Sequence, residues 1–151
     1  MISVNTTSVL RIIKHFYGSI YSRKPFYTAV MVSIAGFMSS PFFSVYGASK
    51  AALKIFIESV NVELKKSGTD NRILNVSPGR INGTNFYNGA NNLSLLYPLA
   101  DEIIYHMNNR NDLFIPEYEE VFKKVLERYH RDFRAEGEHS YEYKQEQLKR
   151  K

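Results

Sequence analysis

The sequence predicts an α/β domain built on a parallel sheet. Segments with apolar residues at helical spacing alternate with short apolar runs rich in β-branched and aromatic residues. Those runs lack the in-and-out alternation of a strand with one wet face, as strands buried in parallel sheets do. The order is helix, strand, helix, strand, helix, strand, helix, which is the grammar of an α/β fold.

The first helix is read from Val4 to Tyr21, where Val9, Leu10, Ile12, Ile13, Phe16, Tyr17, Ile20 and Tyr21 recur at three- and four-residue steps, and Pro25 closes it. FYTAVMVS, between Pro25 and Gly36, is expected to be a strand buried on both faces. A loop, IAGFMSSPFF, leads to a second helix from about Ser44 to Lys66. That helix has Val45, Ala48, Ala52, Phe56, Val60 and Leu64 on one side and Gly68 as its stop. RILNVS is a second buried strand ended by Pro78-Gly79, and the Asn- and Gly-rich stretch from Asn82 to Leu93 is a loop. A helix follows at Pro98–Asn109, then a strand in DLFIP. The last helix, from Glu117 to Phe133, carries the stripe Val121, Phe122, Val125, Leu126 and Tyr129. Residues 1–134 form the expected domain, and the charged residues 135–151 are expected to fray.

A chain of 151 residues with 44% hydrophobic content can bury roughly two-thirds of its unfolded surface without staples. The absence of cysteine excludes disulfides, thiolate metal sites and cysteine nucleophiles. His15, His106, His130 and His139 show no helical metal pairing, so no metal site is expected. The net charge of +5 is uneven, with +7 in residues 1–100 and −2 in residues 101–151. These cations are scattered rather than clustered, which argues against nucleic acid and suits a phosphorylated cofactor.

The opening MISVNTTSVLRIIKHF has charges among its apolar residues and no small-residue cleavage site, so a cytoplasmic protein is expected. Residues 25–49 carry no charge over a length that could span a bilayer. Pro41, two glycines and the serines Ser33, Ser39, Ser40 and Ser44 favour a buried strand followed by a loop, and no membrane partner is expected.

Tyr46 and Lys50 lie four apart on the second helix, which puts both side chains on one face about one turn apart. A cation beside a phenol favours the phenolate and suits the tyrosine to proton transfer at a carbonyl or alcohol. Spacing alone is weak, because chance supplies about one such pair in a chain of this composition. Ser33 strengthens it, 13 residues before Tyr46 at the carboxyl end of a buried strand, where α/β sheets place their ligands.

VNTTSVLRII, VSIAGFMSSPFFSVYGASKAAL and ILNVSPGRINGT resemble, in order and spacing, the second half of short-chain dehydrogenases/reductases, which are NAD(P)-dependent oxidoreductases with a Rossmann fold. The resemblance covers about residues 3–90, with looser similarity beyond. It implies a partial Rossmann-like, doubly wound parallel sheet with flanking helices, truncated at the N-terminus. It implies NAD or NADP as cofactor and a small-molecule carbonyl or alcohol as substrate. In that family pattern Tyr46 is the general acid/base, Lys50 assists it and holds the nicotinamide ribose, and Ser33 holds the substrate oxygen. Asn5 anchors a relay water, and Pro78, Gly79 and Ile81 pack on the nicotinamide carboxamide. Thr84 is the expected pyrophosphate or amide contact, although the family's threonine position falls on Gly83 here. The loop from Asn85 to Leu95 falls where the family carries a substrate lid.

The family's TGxxxGxG loop and NNAG segment are absent, and none of the eight glycines stands in G-x-G spacing. The alternative expectation is therefore a catalytically inactive remnant that persists as a helix-mediated oligomerisation module. In both readings a homo-oligomer is expected through the helices near 4–21 and 44–66. The strand near Phe26–Ser33 is expected to leave one edge and a hydrophobic face open.

Overall fold

The computed structural model describes residues 1–85 and 91–149. The expected lid falls in part on residues 86–90, outside the described residues. The elements are α1 (Ser8–Tyr21), β1 (Thr28–Met31), α2 (Ser44–Ser67), β2 (Ile73–Val76), α3 (Tyr97–Asn108), β3 (Leu113–Phe114), α4 (Lys123–Arg131) and α5 (Phe133–Lys149). A wide π turn, Ser3–Thr7, opens into α1.

The three strands form one parallel sheet in the order β1-β2-β3. Thr28 pairs with Ile73 and Met31 with Val76, while Asn75 and Val76 pair with Leu113 and Phe114. All four residues of β2 are buried, Asn75 among them, as expected of a central strand in a parallel sheet. The expectation that β1 is buried on both faces is corrected. Val30 and Val32 are buried, yet Met31 is 45% exposed and Ala29 is also exposed. Inward-facing Val30 and Val32 share one core with Ile13, Ile20, Leu53 and Ile57 of α1 and α2. β1 is one of the two edge strands of this sheet, and its opposite face is only incompletely covered by the described elements.

The inner face of α2 also differs from the expected stripe. Val60 and Leu64 are buried and Phe56 is partly so, but Val45, Ala48 and Ala52 face outward. The buried line is Ser49, Leu53, Ile57, Val60, Asn61 and Leu64. Two of these are polar, so hydropathy alone rotates the face. Each is reconciled with burial by hydrogen bonds: Asn61 donates to the Ile73 carbonyl at 2.8 Å and accepts from its amide at 2.9 Å. Gly68 ends α2 in the left-handed conformation, φ +81°, as expected of a C-terminal glycine.

Asn71 performs the largest stitching role. Buried at 2% exposure, it donates to the carbonyls of Ile20, Ser22 and Lys24 and accepts from the Phe26 amide at 2.9 Å. It therefore ties the end of α1, the approach to β1 and the approach to β2 into one unit. Pro25 is not needed to end α1, because Ser22 turns the chain to extended geometry and its hydroxyl donates to the Ser19 carbonyl.

The final segment corrects two expectations. The helix read over residues 117–133 is a π turn, Tyr118–Phe122, followed by α4, with Val121 exposed. Residues 135–149 belong to α5 instead of fraying. Burial and specific contacts offset the charge there. Glu136 is buried and receives both Nε and Nη2 of Arg128, at 2.7 and 3.0 Å. Tyr141 stacks on Phe42, and Lys144 donates to the Ser40 hydroxyl at 3.0 Å. The uncharged residues 25–49 are divided among β1, a short 3-10 turn at Ile34–Gly36, a loop and the start of α2. Among the described residues no helix is long and apolar enough to cross a membrane.

Candidate active site

The carboxyl ends of β1 and β2 bring the predicted residues to one edge of the sheet. Ser33 follows β1, is 7% exposed and caps the 3-10 turn, its hydroxyl accepting from the Ala35 amide at 3.2 Å. Beyond β2, the Pro78 carbonyl accepts from the Ile34 amide at 3.0 Å and stands 3.5 Å from the Ser33 hydroxyl. The turn after β1 is thereby fastened to the Pro78-Gly79 segment.

Two glycines let that turn lie against α2. A Cβ at Gly36 would stand 2.8 Å from the Lys50 carbonyl carbon, and one at Gly47 would stand 3.1 Å from the Ala35 oxygen. Close backbone approach of this kind needs glycine. Sequence reasoning gave neither residue a role, although both glycines lie inside the Ser33 to Lys50 interval.

Lys50 reaches from α2 to the sheet, its Nζ donating to the Met31 carbonyl at 2.8 Å. The same ammonium lies 5.7 Å from the centroid of the Tyr46 ring, so the expected pair does share a face. Burial lowers the Lys50 pKa from its ordinary 10.5, because desolvation penalises the charged amine. An ammonium has three donors, and one is spent on Met31.

Asn5 sits in the π turn before α1, and its Nδ2 donates to the Ser49 hydroxyl at 3.2 Å. Ser49 in turn donates to the Tyr46 carbonyl at 2.7 Å, while the Thr6 hydroxyl donates to the Ser49 carbonyl at 3.0 Å. Asn5 is thus joined to the helix turn bearing Tyr46 and Lys50 through a buried serine that periodicity did not single out. Thr6 and Ser49 were missed because a polar residue in an apolar stripe reads as a break in it.

Past β2, the Gly79 backbone lies against the Phe122 ring, where a Cβ would overlap the ring's Cζ. Ile81 is half-buried. Gly83 adopts φ +84°, and its carbonyl accepts from the Asn92 amide at 2.9 Å, which holds these two residues together. A side chain at 83 would meet the Asn92 oxygen at 2.6 Å, which accounts for glycine where a threonine was anticipated. The Thr84 hydroxyl donates to the Ile81 carbonyl at 2.9 Å. Among the described residues no group of three or more His, Cys, Asp or Glu could hold a metal ion.

Parallel strands ending in Ser33 and Pro78-Gly79, beside a helix presenting Tyr46 and Lys50, define a Rossmann-like α/β protein. The chain belongs to the short-chain dehydrogenase family, whose profile matches residues 1–92. The Saccharomyces cerevisiae oxidoreductase TDA5 is 36% identical over 80 residues, which cover 52% of this chain and 24% of the yeast protein. A short-chain type dehydrogenase/reductase of Sinorhizobium fredii is 32% identical over 90 residues, covering 60% of this chain and 35% of its own. In structure the chain resembles LigD from Sphingobium, with TM-score 0.68 and 24% identity, over 87% of this chain and 50% of that one. A Burkholderia phymatum short chain dehydrogenase/reductase in complex with NAD gives TM-score 0.65 and 14% identity, over 89% and 57%. These likenesses establish the fold, and the chain spans about half or less of the length of the curated relatives it matches.

Proposed function

We propose that this chain carries the proton-transfer part of an NAD(P)-dependent oxidoreductase acting on a small-molecule carbonyl or alcohol. The observation that supports this most is the placement of Lys50, anchored on the Met31 carbonyl with its ammonium beside the Tyr46 ring. In this reading Tyr46 gives its hydroxyl proton to the carbonyl oxygen in reduction and takes it back in oxidation. Lys50 offsets the negative charge left on the Tyr46 oxygen, and Ser33 donates to the substrate oxygen. Asn5, through Ser49, holds the helix turn on which Tyr46 is mounted.

The donor set fits the nicotinamide end of such a cofactor. Lys50 keeps two donors for ribose hydroxyls, and Pro78, Gly79 and Ile81 supply a wall for the carboxamide. Nicotinamide supplies or accepts the hydride. None of the glycines present stands in the spacing that would cradle a pyrophosphate. The smallest probe that meets only the residues present is therefore reduced nicotinamide mononucleotide.

Titrating the chain with that mononucleotide, followed by nicotinamide fluorescence, is expected to give saturable binding that Lys50→Met removes and Tyr46→Phe retains. Absence of binding, or equal binding by Lys50→Met, would overturn the reading. The chain is further proposed to self-associate through the outer faces of α1 and α2. Ile12 and Phe16 on one helix and Val45, Ile55 and Val62 on the other stand 44–62% exposed.

A further inference from the structure

The opposite edge of the sheet, at the amino ends of the strands, holds a second cluster that the proposed chemistry does not use. Each of the three strands is preceded by an arginine: Arg23 before β1, Arg72 before β2 and Arg110 before β3. With Pro25, Asp70 and Asn71 they line a cavity of about 340 Å³.

Two of these guanidinium groups are held by main chain. Arg72 donates through Nη1 to the carbonyls of Thr69 and Asn71, at 2.8 and 2.6 Å. Arg110 donates through Nη1 to the Phe26 carbonyl at 2.8 Å and stacks on the Tyr27 ring, 4.0 Å from its centroid. Each uses one nitrogen of its fork on protein and keeps the others for a ligand. Arg110 itself stands at φ +57°, the left-handed region that a long side chain rarely adopts and that recurs at ligand sites. The floor is fixed by Asn71, whose four hydrogen bonds tie down the approaches to β1 and β2.

The charges do not cancel. Three cations face one carboxylate, a net of +2, and no ion pair joins Asp70 to these arginines among the described residues. Like charges assembled by backbone anchors repel one another until an anion arrives. A dianion matches the excess. Planar guanidinium forks match the oxygens of a phosphoryl group, and the polar lining leaves Asp70 to accept from a neighbouring hydroxyl or amine.

We infer that this cavity is a second ligand site, separate from the Tyr46 centre, that binds a phosphoryl group, free or as the ester of a small metabolite.

The test is calorimetric titration of the chain with inorganic phosphate and with glycerol phosphate at constant ionic strength. Both are expected to bind saturably. Arg72→Gln and Arg110→Asn should each weaken binding about tenfold, the scale of one charge-assisted hydrogen bond. Asparagine is chosen at 110 because it tolerates the left-handed backbone. Arg23→Gln breaks no protein hydrogen bond, so it tests the charge with the fold untouched, and it too should weaken both ligands. Tighter binding of glycerol phosphate than of phosphate, with the difference removed by Asp70→Asn, assigns the site to an ester; equal affinities assign it to free phosphate. Lys50→Met should change neither. Lack of saturable binding, binding undiminished in the arginine variants, or binding lost in Lys50→Met would overturn the inference.

Discussion

The Lys50 ammonium donates to the Met31 carbonyl across 2.8 Å, fastening α2 to the carboxyl end of an edge strand. Burial makes that anchor sensitive to pH, because it holds the Lys50 pKa below 10.5. The native chain releases this proton at lower pH than the unfolded chain does. From the lowered native value up to 10.5 the unfolded chain binds more protons, so stability rises with pH through that window. Below the window both states are protonated and the desolvation cost stands in full. Lys144, against Ser40, is shifted the same way by the same cause. Urea unfolding across this range should show a rising slope that Lys50→Met reduces and a double variant with Lys144→Met reduces further. An identical slope in the double variant would contradict the assignment.

Asn71 should be among the costliest single positions. Replacement of this residue, itself 2% exposed, by alanine removes the partner of the Phe26 amide and of the Ile20 carbonyl. It also takes one donor each from the Ser22 carbonyl, which keeps the Thr69 hydroxyl, and the Lys24 carbonyl, which keeps the Ser22 hydroxyl. Buried polar groups left unsatisfied cost far more than a hydrogen bond contributes net, so the loss is expected at about 2–4 kcal/mol. Denaturant midpoints at constant slope would measure it. A loss within surface-substitution range would show that water replaces the side chain.

Local chemistry made much of this fold legible. The run RILNVS became the fully buried central strand, Gly68 became the left-handed cap of α2, and the Tyr46 and Lys50 spacing put both on one face. Features set by distant partners left no periodic trace. Ser49 and Asn61 read as interruptions of a stripe, yet both are buried because Asn5 and the Ile73 backbone receive them. The charged end of the chain read as solvated because nothing local announces that Arg128 pairs with Glu136 or that Lys144 meets Ser40. The face of β1 bearing Ala29 and Met31 depends on what packs over it, which the strand's own composition does not encode.

Gly79 and Phe122 provide a direct test of one such distant contact. Gly79→Ala puts a methyl group into the Phe122 ring, and overpacking of this kind costs about 1–3 kcal/mol. Phe122 packs against Ile34, Ile115 and Leu126, so the ring has little room to retreat. Gly79→Ala with Phe122→Leu should be less destabilised than the sum of the two single variants. A double-mutant cycle in unfolding free energy checks this, and strict additivity would show that the two residues do not meet.

The outward face of α2 makes the proposed self-association measurable. Val45, Ala48, Ala52, Ile55 and Val62 all point away from the core, at steps of three, four, three and seven residues. Such steps keep one line along a helix, the pattern that pairs one helix with another. Small Ala48 and Ala52 allow close approach, while Val45, Ile55 and Val62 supply the apolar area, each more than half exposed. Leaving that line in water is unfavourable for a helix that already buries its opposite face on the sheet. Sedimentation of the wild-type chain should give a dimer or larger species. Ile55→Glu with Val62→Glu should shift it toward monomer without lowering the unfolding midpoint of the monomeric fold, because neither side chain enters the core. A wild-type chain that sediments as a monomer at every accessible concentration would remove this interface, and a charged double variant that still associates would move it elsewhere on the surface.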